Sequence, residues 1–326
     1  MQLLSRNELI LGFWASTVAT CSFLSEERAR PISTVSLPTT PPLAGDAWQA
    51  WAQQVRSATI HYLDSQEPTG VRPAALIRLA FHDAVTGRPN ASIRYELEWS
   101  ENRALSQPLS IVQDIFDNTR MSSKIGSLAD TIALAGTQAI EYTGGPRIAI
   151  QLGRTDAVQA DPYRLATPLM KDTKRSLVTR TMPDAGLDSD GLRLYFGRLG
   201  LDEAEWVALS GVHGLGRHVS LLGMDKACLK ELSRACLEDA PVLLPFVTSS
   251  VDRFSNDYFQ ALLRWNTRQV QLGEVAFLPT DVALVVDAGL RRHVQIFAKD
   301  EGRYRRTFRR AWQRLVESTA TTKAQY

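Results

Sequence analysis

Pro73–Ala–Ala–Leu–Ile–Arg–Leu–Ala–Phe–His–Asp–Ala84 decides the class of this chain. Its proline suits the first turn of a helix, where the missing N–H costs no hydrogen bond. Leu76, Leu79 and Ala80 follow at three- and four-residue spacing, which predicts a helix running to about Ala84. The same period returns on both sides. Trp48, Trp51, Val55, Ala58 and Tyr62 form one apolar face. Residues 127–136 predict a helix with Ser127 and Asp130 in its first turn, on a segment that Gly144–Gly145–Pro146 ends. Further helices are expected from Asp188 to Leu199, Asp202 to Leu209, Asp257 to Trp265, Asp281 to Leu290 and Gly302 to Ser318. Strand alternation is scarce, with 148–152 the best short candidate. The reading is all-α.

The chain has 326 residues, 44% hydrophobic and 22% charged, enough for a large soluble core. A net charge of +2 excludes the strongly basic signature of a non-specific nucleic-acid binder, so no nucleic-acid partner is expected. No uninterrupted apolar run reaches the ~20 residues of a membrane span. Cys21, Cys228 and Cys236 make no C-x-x-C pair and cannot build a disulfide framework. Cys228 and Cys236 are expected as free or buried thiols. Residues 1–45 read as a separate piece. A basic start, the apolar run Leu9 to Ala15 and a polar flank resemble a targeting signal, with a buried N-terminal helix as the alternative. Residues 31–45 carry four prolines among small polar residues and read as a linker.

Two histidines stand out among five. On a helix, Arg78, Phe81 and His82 project over one spot, where a fixed cation, an aromatic wall and a group titrating near neutrality can polarise a small ligand and move its proton. His213 lies in Ala–Leu–Ser–Gly–Val–His–Gly–Leu–Gly–Arg217, where small neighbours leave room for something flat and bulky. A hydrogen-bonded core histidine is the plainer explanation of either motif alone. Leu278–Pro279–Thr280–Asp281 adds a carboxylate at a helix start, able to accept the Nδ1–H of a metal-ligating imidazole.

Taken together, Arg78-x-x-Phe81–His82–Asp83, Gly144–Gly145–Pro146, Gly153–Arg154-x-Asp156, Leu209–Ser210–Gly211-x-His213-x-Leu215–Gly216–Arg217 and Leu278–Pro279–Thr280–Asp281 resemble the haem peroxidases in order and spacing. The resemblance is to the ascorbate-peroxidase branch of the intracellular class and covers about residues 46–318. Residues 92–102 are similar to the thylakoid-lumen ascorbate-peroxidase-like proteins. It implies a two-lobed, all-α fold holding haem b between a distal lobe, 46–180, and a proximal lobe, 181–320.

By the same resemblance His213 is the axial ligand of the haem iron and Asp281 its carboxylate partner. His82 moves the peroxide proton, Arg78 stabilises the charge developing as the O–O bond breaks, and Asn102 accepts from His82 with Glu96 supporting it. Phe81 walls the distal side and Phe246 stands near the proximal histidine. Hydrogen peroxide and a small electron donor are the expected partners. The likeness of 92–102 also favours a chloroplast, with the thylakoid lumen or membrane as the narrower location.

The chain departs from the family in several places. Phe81 and Phe246 replace tryptophans, and phenylalanine cannot donate an indole N–H to Asp281. Arg72, Gly70 and Leu222 stand where cysteine, lysine and arginine serve ascorbate, so the donor is expected not to be ascorbate-selective. Val219 replaces a histidine that helps hold a propionate, with His218 beside it. Gly214 and Ser255 stand where a proximal potassium or calcium site has threonine and aspartate, and hard cations need those oxygens. These erosions keep open a second reading, a haem-poor or haem-free peroxidase-like scaffold associated with thylakoid or photosystem components. Arg303, Arg305, Arg306, Arg309, Arg310 and Arg314 surround the stripe Tyr304, Phe308, Ala311, Trp312 and Leu315. Their simplest reading is a solvated face, and their sharper one a docking surface for an acidic partner or anionic lipid. Asp130 and Asp156 are expected to serve as a helix cap and a turn or ion-pair partner.

Overall fold

The computed structural model describes residues 44–65, 71–86, 88–161, 187–219, 243–247, 252–264 and 277–317. Most of the targeting and linker segment, the three cysteines and Leu222 lie outside them. Ten α-helices dominate the described residues, and no helix is long and apolar enough to cross a membrane.

The first group of helices is built around α4 (Leu128–Tyr142), whose residues 128–140 are all buried. Such a helix must be covered on every side. α1 (Ala44–Asp64), α2 (Pro73–Val85) and α3 (Ser106–Ser123) all pack on it. Trp51 and Val55 of α1 are fully buried, and Pro73 occupies the expected first-turn position of α2. Gly136 allows α2 and α4 to come close, since a Cβ there would meet the Ala80 Cβ at 2.4 Å. Ser127 caps α4 by accepting from the Asp130 N–H, and Gly144, with φ of 83°, carries the chain out of it.

Residues 148–152 form no strand. Two of their N–H groups find side chains instead of a partner strand: Glu141 accepts from Ile148 N–H and Glu317 from Gln151 N–H. Just beyond, Asp130 accepts from the N–H groups of Gly153 and Arg154 and pairs with the Arg154 guanidinium at 2.7 Å, both side chains buried. Asp156 accepts from Leu128 and Ala129 N–H at the start of α4. The two carboxylates thus exchange the expected roles, Asp156 capping the helix and Asp130 holding the ion pair.

The second group contains α5 (Ser189–Arg198), α6 (Glu203–Ser210), α7 (Asp257–Arg264), α8 (Pro279–Val286), α9 (Ala288–Lys299) and α10 (Glu301–Glu317). Gly200, with φ of 72°, separates α5 from α6 as expected, and Asp202 with Glu205 closes a capping box on α6. The single helix expected from Asp281 to Leu290 is two. Asp287 is extended, ends α8, and accepts from Leu290 N–H to start α9, because a capping carboxylate competes with helix continuation. Two three-residue strands, β1 (Arg217–Val219) and β2 (Leu243–Pro245), pair antiparallel with Arg217 opposite Pro245.

α10 buries Tyr304, Phe308, Ala311, Trp312 and Leu315 to 1% exposure or less, as its spacing predicts. Each large side chain is worth about 1.5–3 kcal/mol of transfer free energy. Trp312 donates to Thr137 of α4 at 3.0 Å, which fastens the helix to the first group. Half of the arginine face is already engaged. Arg310 and Arg314 both donate to the buried Glu205, and Arg305 reaches Glu301 and the carbonyls of Gly144 and Phe254.

Candidate active site

The two histidine centres are carried by α2 and by the short 3-10 turn Gly211–Leu215, elements that pack against each other. On α2, His82 is buried at 5% exposure and its Nδ1 lies 2.8 Å from Asn102 Oδ1. Asn102 is itself oriented, since its Nδ2 donates to the Glu96 carbonyl at 2.9 Å. With the amide nitrogen committed there, Oδ1 faces His82 and must accept, so Nδ1 carries the proton and Nε2 keeps a lone pair. Burial, then the Arg78 charge, lowers the His82 pKa to about 3 against the opposing bond from Asn102. The imidazole is neutral at physiological pH.

Glu96 supports Asn102 as expected, but through its main-chain oxygen. Its carboxylate turns away and accepts from Asp161 N–H. Next to His82, Asp83 accepts from Ala91 and Ile93 N–H and so fixes the loop that delivers Asn102. Burial raises the Asp83 pKa to about 7 despite those two bonds. Arg78 donates to the carbonyls of Arg103 and Glu101, both at 2.7 Å. Burial, then Arg103, lowers its pKa to about 10, which leaves it charged at neutrality. Phe81 packs edge-on to His82 with ring centroids 6.3 Å apart.

The second centre inverts this electrostatics. His213 Nδ1 lies 2.8 Å from Asp281 Oδ1, with Asp281 buried at 1% exposure. Burial pulls the His213 pKa down, but the charge of Asp281 and its hydrogen bond outweigh that and leave it raised. Leu278 N–H donates to Asp281 Oδ2, which locks the carboxylate at the start of α8. Phe246 stacks on the imidazole at 4.7 Å and 21°. The Tyr258 hydroxyl of α7 donates to Asp281 Oδ1 at 2.6 Å, a contact the sequence reading missed. The signal that could have found it is indirect: Phe246 has no N–H to offer Asp281, which leaves room for another donor at the carboxylate.

Arg78, Phe81, His82 and Asn102 therefore meet at one centre, and His213, Phe246 and Asp281 at the other. Among the described residues, neither His82 Nε2 nor His213 Nε2 has a hydrogen-bond partner. His213 keeps 35% of its side chain exposed, although Nδ1 and one ring face are engaged. A single imidazole nitrogen donor backed by a carboxylate fits haem iron, which takes one such proximal ligand. Ser255 accepts from Asp257 N–H and Gly214 has no side-chain oxygen, so these two add nothing to a hard-cation site beyond one hydroxyl.

Comparison with known proteins agrees with this arrangement. The model of the family described as Peroxidase matches residues 54–300. The probable L-ascorbate peroxidase 3, peroxisomal, of Oryza sativa is 32% identical over 250 residues, 74% of this chain and 72% of that one. A putative heme-binding peroxidase of Cryptococcus neoformans is 34% identical over 204 residues, covering 59% of this chain and 53% of its own. The mitochondrial cytochrome c peroxidase of Emericella nidulans is 29% identical over 262 residues, covering 74% and 63%. The matched span contains both histidine centres, and the chain accordingly belongs to the peroxidase family as a haem enzyme that reduces hydrogen peroxide at the expense of a reducing substrate.

Proposed function

We propose that His213 is the axial haem ligand, and that His82, Arg78 and Asn102 carry out the reaction with hydrogen peroxide. The observation that carries this is the opposite backing of two Nδ1 atoms, an amide for His82 and a carboxylate for His213. Bound haem would supply an iron at which the peroxide O–O bond is reduced, with the two electrons drawn from the donor. His82 Nε2, free and basic, takes the proton of the near peroxide oxygen and delivers it to the far one. Arg78, charged and pinned by two carbonyls, stabilises negative charge on the departing oxygen without having to reorganise. Asn102 keeps His82 in the productive tautomer. Phe81 limits water on the distal side, and Phe246 holds the plane of the proximal ring. On this reading the haem lies between a distal lobe, 46–180, and a proximal lobe, 181–320.

The expected pattern is loss of haem uptake in His213→Ala, with His82→Ala keeping haem but losing most of its peroxide reactivity. An absorption titration with haemin followed by peroxide addition reads both, and retention of haem by His213→Ala sinks the assignment.

The donor is proposed to be one taken without selectivity for ascorbate, since Arg72, Gly70 and Leu222 supply none of the groups that serve ascorbate in the family. Turnover with ascorbate well above that with small phenols would overturn this. We place the protein in the chloroplast, near or within the thylakoid, on the likeness of residues 92–102 and the signal-like first segment. The rice relative is itself described as peroxisomal. A reporter fused to residues 1–45 and found in peroxisomes or cytosol refutes the plastid location. Thylakoid association through α10 would rest on Arg303, Arg306 and Arg309, whose side chains have no hydrogen-bond or ion-pair partner among the described residues. Unchanged membrane co-sedimentation after reversing these three charges removes that part.

A further inference from the structure

Asp281 accepts three hydrogen bonds, and two of them converge on one oxygen. His213 Nδ1 meets Oδ1 at 2.8 Å and the Tyr258 hydroxyl meets the same Oδ1 at 2.6 Å, while Leu278 N–H takes Oδ2 at 2.8 Å. Tyr258 is fully buried, its ring edge-on to His213 with centroids 5.9 Å apart. Burial, then the Asp281 charge, holds its hydroxyl far above the usual range, so it stays a donor at every physiological pH. The packing is specific: a Cβ on Gly214, the residue after His213, would approach the Tyr258 Cβ at 3.3 Å. On the other face of this cluster Phe246 stacks on His213 and offers no donor.

We infer that Tyr258 is a positioning residue of the peroxide reaction, whose hydroxyl competes with His213 for Asp281 Oδ1 and thereby limits the negative charge that Asp281 induces on the imidazole. The inference rests on the reading of His213 as axial ligand. A carboxylate oxygen shared between two donors binds each less strongly than it would bind one. A weaker pull on Nδ1–H leaves Nε2 a poorer electron donor, and in haem proteins hydrogen bonding to the axial ligand tunes both the bond to iron and its reduction potential. Tyr258 therefore sets the strength of the axial ligand through Asp281 without touching the iron or the peroxide.

The test uses Tyr258→Phe, which keeps the ring and removes the competing donor, in the full chain. In the ferrous haem-loaded protein the iron–histidine stretching frequency is expected to rise and the ferric/ferrous potential to fall. In the haem-free chain the Nδ1–H proton resonance of His213 is expected to move downfield. Tyr304→Phe is the control, since that fully buried hydroxyl has no hydrogen-bond partner among the described residues and its loss should move none of the three. Should Tyr258→Phe fold poorly, 3-fluorotyrosine at 258, a stronger donor of the same shape, is expected to shift all three the opposite way. Readings that stay at the wild-type values, or that Tyr304→Phe shifts equally, overturn the inference. Haem uptake by His213→Ala that equals wild type removes the axial reading instead, and the haem-free resonance still decides whether Tyr258 competes for Asp281.

Discussion

The two histidines of this protein receive the same kind of contact and acquire opposite character. His82 and His213 each place Nδ1 2.8 Å from a side-chain oxygen. The oxygen belongs to a neutral amide in one case and to a carboxylate in the other. Burial, helped by Arg78, leaves the amide-backed ring with a pKa of about 3, and Asp281 leaves the carboxylate-backed ring raised. Hydrogen-bond geometry alone would not separate a proton carrier from a metal ligand. On the roles proposed above, the charge behind the acceptor does, because it would make Nε2 either a transient base or a strong permanent donor.

The sharpest way to break the comparison is to make the first centre resemble the second. Asn102→Asp gives His82 a carboxylate and raises its pKa toward neutrality. The rate of reaction with peroxide at pH 7 is expected to fall by up to the ~10²–10⁴-fold that general-base catalysis supplies, and to recover as pH rises. Rapid-mixing kinetics of Asn102→Asp at wild-type speed at pH 7 would show that the amide is not what keeps His82 basic.

The converse exchange, Asp281→Asn, removes the charge behind His213. About 10–100-fold weaker haem retention is expected, measured as haem loss to a competing apoprotein, with a higher reduction potential. Equal retention would mean that orientation matters there and charge does not.

The wild-type pH profile is the next test. The folded pKa of His82 lies below its unfolded value, so the neutral ring contributes stability that is complete above about pH 6.5 and is lost as pH falls toward 3. The peroxide reaction should therefore show no inflection near pH 6.5 and should persist to about pH 4. An inflection at 6.5 that His82→Ala abolishes would mean that the ring titrates like an exposed one.

The smallest effect is expected of Phe246→Leu, which removes the stacked ring beside His213 and keeps the rest of the site. A loss of ~1 kcal/mol and a fall of about 2–4 °C in Tm should follow, with peroxide kinetics nearly unchanged. A large kinetic loss would place Phe246 in the chemistry itself.

How much of this was legible in the sequence depended on which atoms carried the information. Apolar spacing exposed the helical class, and the buried stripe of α10 was readable residue by residue. Helix spacing put Arg78, Phe81 and His82 on one face, which the structure shows, while their roles came only from the family resemblance. What escaped involved main-chain atoms or remote donors. The brace of Asn102 is the Glu96 carbonyl, which residue type does not reveal. Tyr258 reaches Asp281 from another helix, which only the fold brings near. Residues 148–152 have strand composition, yet Ile148 N–H goes to Glu141 and Gln151 N–H to Glu317, 166 positions on, a partner the pattern could not announce.

The buried Arg154 has a consequence for how the molecule comes into being. Besides Asp130, its guanidinium donates to the carbonyl of Val316, 162 positions later in the chain. At about 5–20 residues per second, synthesis separates the two partners by roughly 10–30 seconds. Through that interval the nascent first half holds a cation it cannot fully enclose, and Thr137 of α4 lacks its Trp312 donor. Completion of the core is therefore late in synthesis, and the nascent chain depends on whatever shelters it until α10 arrives.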